Sequence, residues 1–271
     1  MGPVLRRWLA GAFFVGLAIE APAAGPAREA LEAWQQHLQA VEARLRERLD
    51  GKRPFLWADE VGGRRERLRR GQILAAPQLP GGRRDVTGGL IHDWIGAVFL
   101  PEATLGQVLA VVHDYDNYRE FFKPTVVRSE LLERDANRYR FSMRWVKKVL
   151  FVTAAVDGVY ESTDSQVDAR RWFGVARSVR VQEVRNPGGP DEQVLPPDTG
   201  SGYLWRVYSI SRYLEEDGGV YAELEALALS RNVPAYLRWL VNPVVSRLSR
   251  NSLVTSLEQT RQALMRKRAP R

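Results

Sequence analysis

Hydrophobic positions recur along this chain with two different periods, and the change from one to the other divides it. Leu31, Trp34, Leu38, Val41, Leu45 and Leu49 fall three or four residues apart. That spacing predicts a helix over Ala27 to Leu49 with one apolar stripe. Asp50-Gly51 ends it, glycine being a natural left-handed terminator. The stripe requires cover, which docking on the rest of the chain or self-pairing as a coiled coil would supply. Further on, Tyr139, Phe141, Met143 and Trp145 alternate with Arg138, Arg140, Ser142 and Arg144. A period of two marks a half-buried strand.

Around that strand the pattern predicts a series of elements. Leu90 to Leu100 reads as a strand ended by Pro101, Glu102 to His113 as a helix, and Tyr115 to Phe122 as a second short helix stopped before Pro124. Val126 to Glu133 is the next strand, turning at Asp135-Ala136-Asn137 into Arg138 to Val146. Lys147-Lys148 reads as a turn, Val149 to Glu161 as the returning strand, Ser162 to Ser165 as another turn, and Val167 to Val184 as one bent strand or two. Tyr203 to Leu214 and Val220 to Arg231 form a hairpin across Glu216-Asp217-Gly218-Gly219. With Asp217 and Gly218 as the turn, Arg212 faces Glu223. One hairpin face then carries Trp205, Val207, Ser209, Ser211, Ala222, Leu224, Ala226 and Ala228, and composition makes it the inner one. Pro234 to Arg266 is a long final helix with Pro at its first turn.

Two stretches lack periodicity. Residues 51–89 are rich in Gly and Arg and read as a linker with one strand near Gln72 to Ala76. Residues 185–202 carry four prolines and four glycines and read as an exposed loop, mobile rather than a lid.

Composition then narrows the picture. Of 271 residues, 45% are hydrophobic, enough to bury a core, and cysteine is absent, which excludes disulfides, thiol catalysis and cysteine zinc sites. The first residues form a targeting signal. Arg6 and Arg7 precede an apolar run, Trp8 to Ile19, too short to cross a hydrocarbon core of roughly 30 Å. Ala21-Pro22-Ala23 gives a small-x-small cleavage pattern, so residues 1–23 read as a secretory signal peptide and the protein as periplasmic or secreted. An uncleaved anchor is the alternative. The net charge is +8. Arg64, Arg65, Arg67, Arg69 and Arg70 crowd together and would suit an anionic membrane surface or simply a solvated face. Export and the absence of any recognition helix argue against nucleic acid.

The search for chemistry returns little. His37, His92 and His113 have no metal-ligand spacing, so no metal or other cofactor is expected. His92-Asp93 would point its two side chains to opposite faces of a strand. No phosphate loop and no Gly-x-Ser-x-Gly elbow occurs. Glu223 and Glu225 share a strand face with Arg212 opposite, which reads as a surface charge pair before it reads as catalytic carboxylates. No catalytic residue is assigned, and the oligomeric state stays open.

The order of elements resembles the START-like, helix-grip superfamily, which includes lipid-transfer domains and polyketide cyclases. The stretch Val111-Val112-His113-Asp114-Tyr115-Asp116-Asn117-Tyr118-Arg119-Glu120-Phe121-Phe122-Lys123-Pro124 looks like that superfamily's paired short helices. Asn232-Val233-Pro234, with Leu253 to Leu264 following, looks like its entry into the gripping helix. The resemblance spans about residues 89–267, so the domain is taken as 89–268, leaving 24–88 as an added helix and linker. It implies an α+β fold in which a curved antiparallel sheet of about seven strands wraps around the last helix. It also implies a cavity between sheet and helix, walled by Phe141, Met143, Trp145, Trp205, Val207, Ser209, Leu224, Ala226, Leu240, Val244 and Leu248. The expectation is an exported carrier of a lipid, isoprenoid or polyketide-like molecule. The alternatives are a cyclase or aromatase of the same superfamily, or an envelope scaffold without ligand.

Overall fold

The computed structural model describes residues 25–149, 152–232 and 238–268, and the side chains of all of these except 149, 152, 238–248 and 268. The predicted export signal lies outside the described residues. So does the start of the last helix at Pro234.

Among the described residues, five α-helices and ten strands follow one another: α1 (Arg28–Leu49), α2 (Arg64–Arg69), β1 (Leu74–Pro77), β2 (Arg83–Val86), β3 (Gly89–Pro101), α3 (Leu105–Val112), α4 (Tyr118–Phe121), β4 (Val126–Asp135), β5 (Arg138–Val149), β6 (Val152–Gln166), β7 (Arg171–Arg185), β8 (Gln193–Val194), β9 (Arg206–Glu216), β10 (Gly219–Ser230) and α5 (Arg238–Arg268). The sheet order is β1-β3-β10-β9-β7-β6-β5-β4, with β2 beside β3 and β8 beside β7. Every pairing is antiparallel. This is an α+β helix-grip arrangement, in which a long C-terminal helix lies on one face of a large antiparallel sheet.

The sheet is larger than the sequence predicts because the presumed linker belongs to it. β1 and β2, both from that stretch, pair with β3. Two turns also move. The strand pattern runs through Lys147 and Lys148, which pair with Ala154 and Thr153, so β5 continues to Val149. The turn expected at Ser162 to Ser165 lies inside β6. The chain reverses instead near Asp168, whose carboxylate accepts from the backbone N–H of Arg170 and Arg171, both at 2.9 Å. The hairpin register holds, with Arg212 opposite Glu223.

β3 reads as a continuous apolar run because both its faces are covered. On the inner face, Trp94, Val98 and Leu100 pack with Val220 and Ala222 of β10, with Leu105, Val108 and Val111 of α3, and with Leu253, Leu257 and Leu264 of α5. Gly96 permits this approach, since a Cβ there would stand 2.8 Å from Leu257 Cδ1. A Thr104–Gln107 capping box starts α3.

On the outer face α1 docks, with Ala30, Trp34, His37, Val41, Leu45 and Arg48 buried at helical spacing. Its apolar members meet Ile91, Tyr208, Ile210, Leu227 and Leu229. Docking on the sheet is thus what covers the stripe. Phe55, Leu56, Trp57 and Leu68 continue the cover over Ile95, Ala97 and Tyr221.

The Arg212–Glu223 pair was expected at the surface and is instead buried beneath this cover. Both side chains are about 1% exposed. The Glu223 carboxylate accepts from Arg212 Nε and Nη2 at 3.2 and 3.1 Å, and from the backbone N–H of Trp57 and Ala58 at 2.9 and 2.8 Å. Arg212 Nη1 also lies 3.6 Å from Glu225, which accepts from Arg44 at 2.8 Å. Arg44 reaches Asp93 at 3.5 Å, and Asp93 pairs with His37 at 2.9 Å. His92 points the other way, its ring 3.0 Å from Ser230 Oγ.

Glu223→Ala strands Arg212 and two backbone donors, and the unfolding free energy from denaturant titration is expected to fall by about 3–5 kcal/mol. A second prediction concerns acid. Burial, with Arg83 nearby, holds the His92 imidazole down at about 4, whereas the unfolded chain binds that proton near 6.5. The unfolded state therefore binds more protons between those values. Stability from this group is present above the window and lost as pH falls through it. His92→Gln should flatten that loss in denaturation midpoints measured between pH 6.5 and 4. Asp93, pushed up by burial against the opposing effect of His37, is common to both proteins and cancels in the difference.

Candidate functional site

The two faces of β10 differ in solvent access. Tyr221, Glu223, Glu225, Leu227 and Leu229, facing α1 and residues 55–68, are all buried. Leu224, Ala226 and Ala228, facing α5, are half-buried. β9 repeats this, with Tyr208, Ile210 and Arg212 buried outward and Val207, Ser209 and Ser211 half-buried inward. Along these stretches of β9 and β10 the outward side chains are sealed, while the inward ones keep accessible surface.

Most of the predicted wall lies on that concave face. Phe141, Met143 and Trp145 project from β5, and register carries the face across β6 and β7 to Val207 and Ser209 of β9 and to Leu224 and Ala226 of β10. Trp205 does not join them. It precedes the first residue of β9 and packs with Ala30, Trp34 and Ile91 under α1, so the alternation that governs the strand does not reach it. Leu240, Val244 and Leu248 belong to α5, and their side chains lie outside the described residues.

The far end of the concave face is polar and aromatic, which the sequence pattern did not reveal. Tyr115, Tyr139, Phe141, Met143 and Tyr160 form one buried cluster with Tyr118 packed against it. His113, at the end of α3, pairs through Nε2 with the buried Asp164 of β6 and stacks on Tyr139, with ring centroids 4.8 Å apart. Ser162 Oγ lies 3.3 Å from Asp164 Oδ1. Burial pushes the Tyr115 and Tyr118 phenols well above their ordinary range and Tyr213 up to about 12, so all three remain protonated donors near neutrality. The partner of His113 is therefore not the adjacent Asp114, which pairs with Lys267 at 2.6 Å. A carboxylate fixing an imidazole beside several hydroxyls is an arrangement able to accept and return a proton.

At the other end, the Pro- and Gly-rich loop expected to be mobile is tied down. The buried Glu183 carboxylate accepts from the N–H of Ser201, Gly202 and Tyr203 at 2.7, 2.6 and 3.1 Å, and from Ser201 Oγ at 2.8 Å. Tyr203 Oη donates to the Ala155 carbonyl at 2.6 Å. Arg144 holds the same loop through Glu192, and Asp157 through a two-pronged contact at 2.6 Å.

The arginine cluster is partly turned inward. Arg64 donates to the Trp57 carbonyl at 2.7 Å and lies 3.8 Å over its ring. Arg65 pairs with Asp59 and Glu216 and lies over Tyr221. Arg67, Arg69 and Arg70 stay exposed. A groove of about 560 Å³ on the outer face is lined by Glu42, Glu161, Arg138, Arg140 and Arg177 among others, and its Arg177 and Glu161 pair at 2.9 Å. Among the described residues, no group of three or more His, Asp or Glu is placed to hold a metal ion, and no helix is long and apolar enough to cross a membrane.

No protein-family model matches the chain, and no curated protein sequence matches it. Among solved structures, it is similar to a STAR-related lipid transfer protein from Xanthomonas axonopodis at 20% identity, covering 68% of this chain and 99% of that one, with a TM-score of 0.45. The Zhui aromatase/cyclase from Streptomyces sp. R1128 aligns at 12% identity over 65% of this chain and 95% of its own, also at 0.45. Human STARD10 aligns at 11% identity over 70% and 75%, at 0.43. The strand order, the antiparallel register and the helix α5 across the concave face give this chain a helix-grip fold.

Proposed function

We propose that this chain is an exported binding protein for a hydrophobic small molecule, of lipid, isoprenoid or polyketide-like character, held between the concave face and α5. One observation carries the reading: the inward side chains at 207, 209 and 211 of β9 and at 224, 226 and 228 of β10 are half-buried while their outward neighbours are buried, and only at the other end, at Tyr213, Val220 and Ala222, does the inner face close against α3 and α5. A sheet filled to native density would bury both sets. The inward set is apolar or small, with serine hydroxyls interspersed, which suits an apolar ligand with few polar groups. Each methylene such a ligand buries contributes about 0.8 kcal/mol.

Ala226→Trp tests the room directly. In unfilled space the indole is accommodated and the melting temperature holds. In a packed interior the added bulk costs about 1–3 kcal/mol. Organic extraction of the purified unaltered chain, followed by mass spectrometry, should recover a ligand that the variant has lost. An empty chain that takes up nothing from a lipid extract, together with a destabilised variant, would sink the reading.

Export rests on the apolar run Trp8 to Ile19 and the small residues that follow it. A reporter active only outside the cytoplasm, fused behind Gly25, should be active and should fall silent when Arg6, Arg7 and the run are removed. Exposed Arg67, Arg69 and Arg70 support contact with an anionic bilayer during loading. Reversing their charge should weaken sedimentation with phosphatidylglycerol vesicles and leave ligand content unchanged.

The His113–Asp164 pair favours a second reading, in which the bound molecule is also transformed as by a cyclase. Time-resolved mass spectrometry of the recovered ligand decides it. Chemical change that stops in His113→Ala and Asp164→Asn supports an enzyme, and unaltered recovery leaves a carrier.

A further inference from the structure

A phenol and an indole meet inside the concave face with two protons to donate between them and only the phenol oxygen to receive one. Tyr160 of β6 is 3% exposed, and its Oη makes no hydrogen bond to any protein group. Trp145 of β5 projects from the same face, and its buried Nε1 is likewise without a partner. The Tyr160 ring folds along its own strand over Gly158, where an added Cβ would stand 2.2 Å from the hydroxyl. That brings the hydroxyl toward position 158, which pairs with Met143, two residues from Trp145 on the same face. Burial pushes the phenol well above its ordinary range, and the Trp145 indole, close enough to interact, opposes that only in part. Near neutrality the group stays O–H.

The pair is unable to satisfy itself. An indole N–H only donates, whereas a phenol donates one proton and accepts. Even if the indole swung onto the phenol oxygen, the phenolic proton would remain unspent. A buried donor without an acceptor costs about 1–3 kcal/mol, and folded proteins keep few of them. The acceptors nearby on β7 are already engaged: Ser178, opposite Tyr160, receives the Val207 N–H at 2.9 Å, and Glu183, opposite Val156, receives the Ser201, Gly202 and Tyr203 N–H groups. Phe141, Met143, Ala154 and Val156 share the face, and the half-buried Trp145 ring borders its accessible part.

We propose that Tyr160 and Trp145 form a two-donor seat for the carbonyl oxygen of a neutral hydrophobic ligand: a ketone, an aldehyde, an ester or an amide. The proposal rests on the reading that the concave face holds an apolar molecule, and it names the polar group that molecule carries. A neutral acceptor is favoured over a carboxylate because the seat has no counter-charge. The inward residues of β5 from 139 to 145 and of β6 from 154 to 162 include no cation. Lys147, the next inward position of β5, keeps its charge but is directed to Ser252 Oγ of α5 at 3.2 Å, while the nearer charge on β7, opposite Val156, is the Glu183 carboxylate, which disfavours a second anion. A carboxylate there would be buried unpaired, which is far costlier than burying a carbonyl that receives two hydrogen bonds.

Benzophenone and diphenylmethane share a shape and differ in one carbonyl oxygen, so they isolate the seat. Calorimetry on the full chain should give benzophenone a roughly three- to tenfold tighter affinity, the amount a net hydrogen bond or two supplies. In Tyr160→Phe and in Trp145→Phe that preference, read as the ratio of the two affinities within each variant, should shrink toward unity. The carbonyl stretch of bound benzophenone should shift to lower frequency in the unaltered chain and move back in Tyr160→Phe. The melting temperature of Tyr160→Phe should hold or rise, because the change removes an unsatisfied group and leaves the ring. A fall would mean that the hydroxyl has a protein partner and would overturn the seat. Equal binding of the two probes, unchanged by either substitution, overturns it too and leaves the hydrophobic cup standing. Failure of the unaltered chain to bind either probe removes the cup reading itself.

Discussion

A carboxylate in the middle of a β-sheet, with almost no solvent access, is the constraint around which this molecule is organised. Glu223 has to be met by Arg212 across the hairpin and by two backbone N–H groups at the turn of Trp57 and Ala58. Charges taken out of water are tolerated only when geometry and additional hydrogen bonds compensate their lost hydration. The N-terminal segment is therefore an integral part of the fold. It supplies donors that the sheet lacks, and α1 brings Arg44 and His37 onto Glu225 and Asp93 to complete the set. With one face committed in this way, the opposite face is the one left for a ligand.

The concave face is graded along its length. Its middle is apolar, with small side chains at Ala226, Ala228 and Ser209 that leave surface accessible. Its far end is closed by α3 and α4 and concentrates tyrosines, serines and the His113–Asp164 pair. The loop at the other end is fastened by Glu183, whose four hydrogen bonds leave that carboxylate well satisfied despite burial. Shape, polarity and anchoring are thus set by separate residues on separate elements.

How much of this the sequence discloses depends on the range of the interaction involved. Alternation is local, so the inward set on β5, β9 and β10 could be read directly, as could the Asp217-Gly218 turn and the Arg212–Glu223 register it imposes. The charges at 212, 223 and 225 looked like surface because their cover comes from residues more than 150 positions away. The Ser162 to Ser165 stretch has turn-forming composition, yet Ser162 and Asp164 face the interior, with Asp164 reserved for a histidine 51 residues distant. Trp205 broke the parity rule because it sits one residue before the ladder begins. Gly158 resembled any strand glycine until the Tyr160 ring was seen lying across it.

The unequal faces of β10 have a consequence for how the chain drifts over generations. Along one twelve-residue strand, odd positions from 221 to 229 are locked to the N-terminal cover, while 224, 226 and 228 touch the accessible interior. Replacement at the first set disturbs folding. If the concave face holds a ligand as proposed, replacement at the second would reshape what is admitted and leave the scaffold intact. Selectivity and foldability would then be inherited on alternate residues of the same strand.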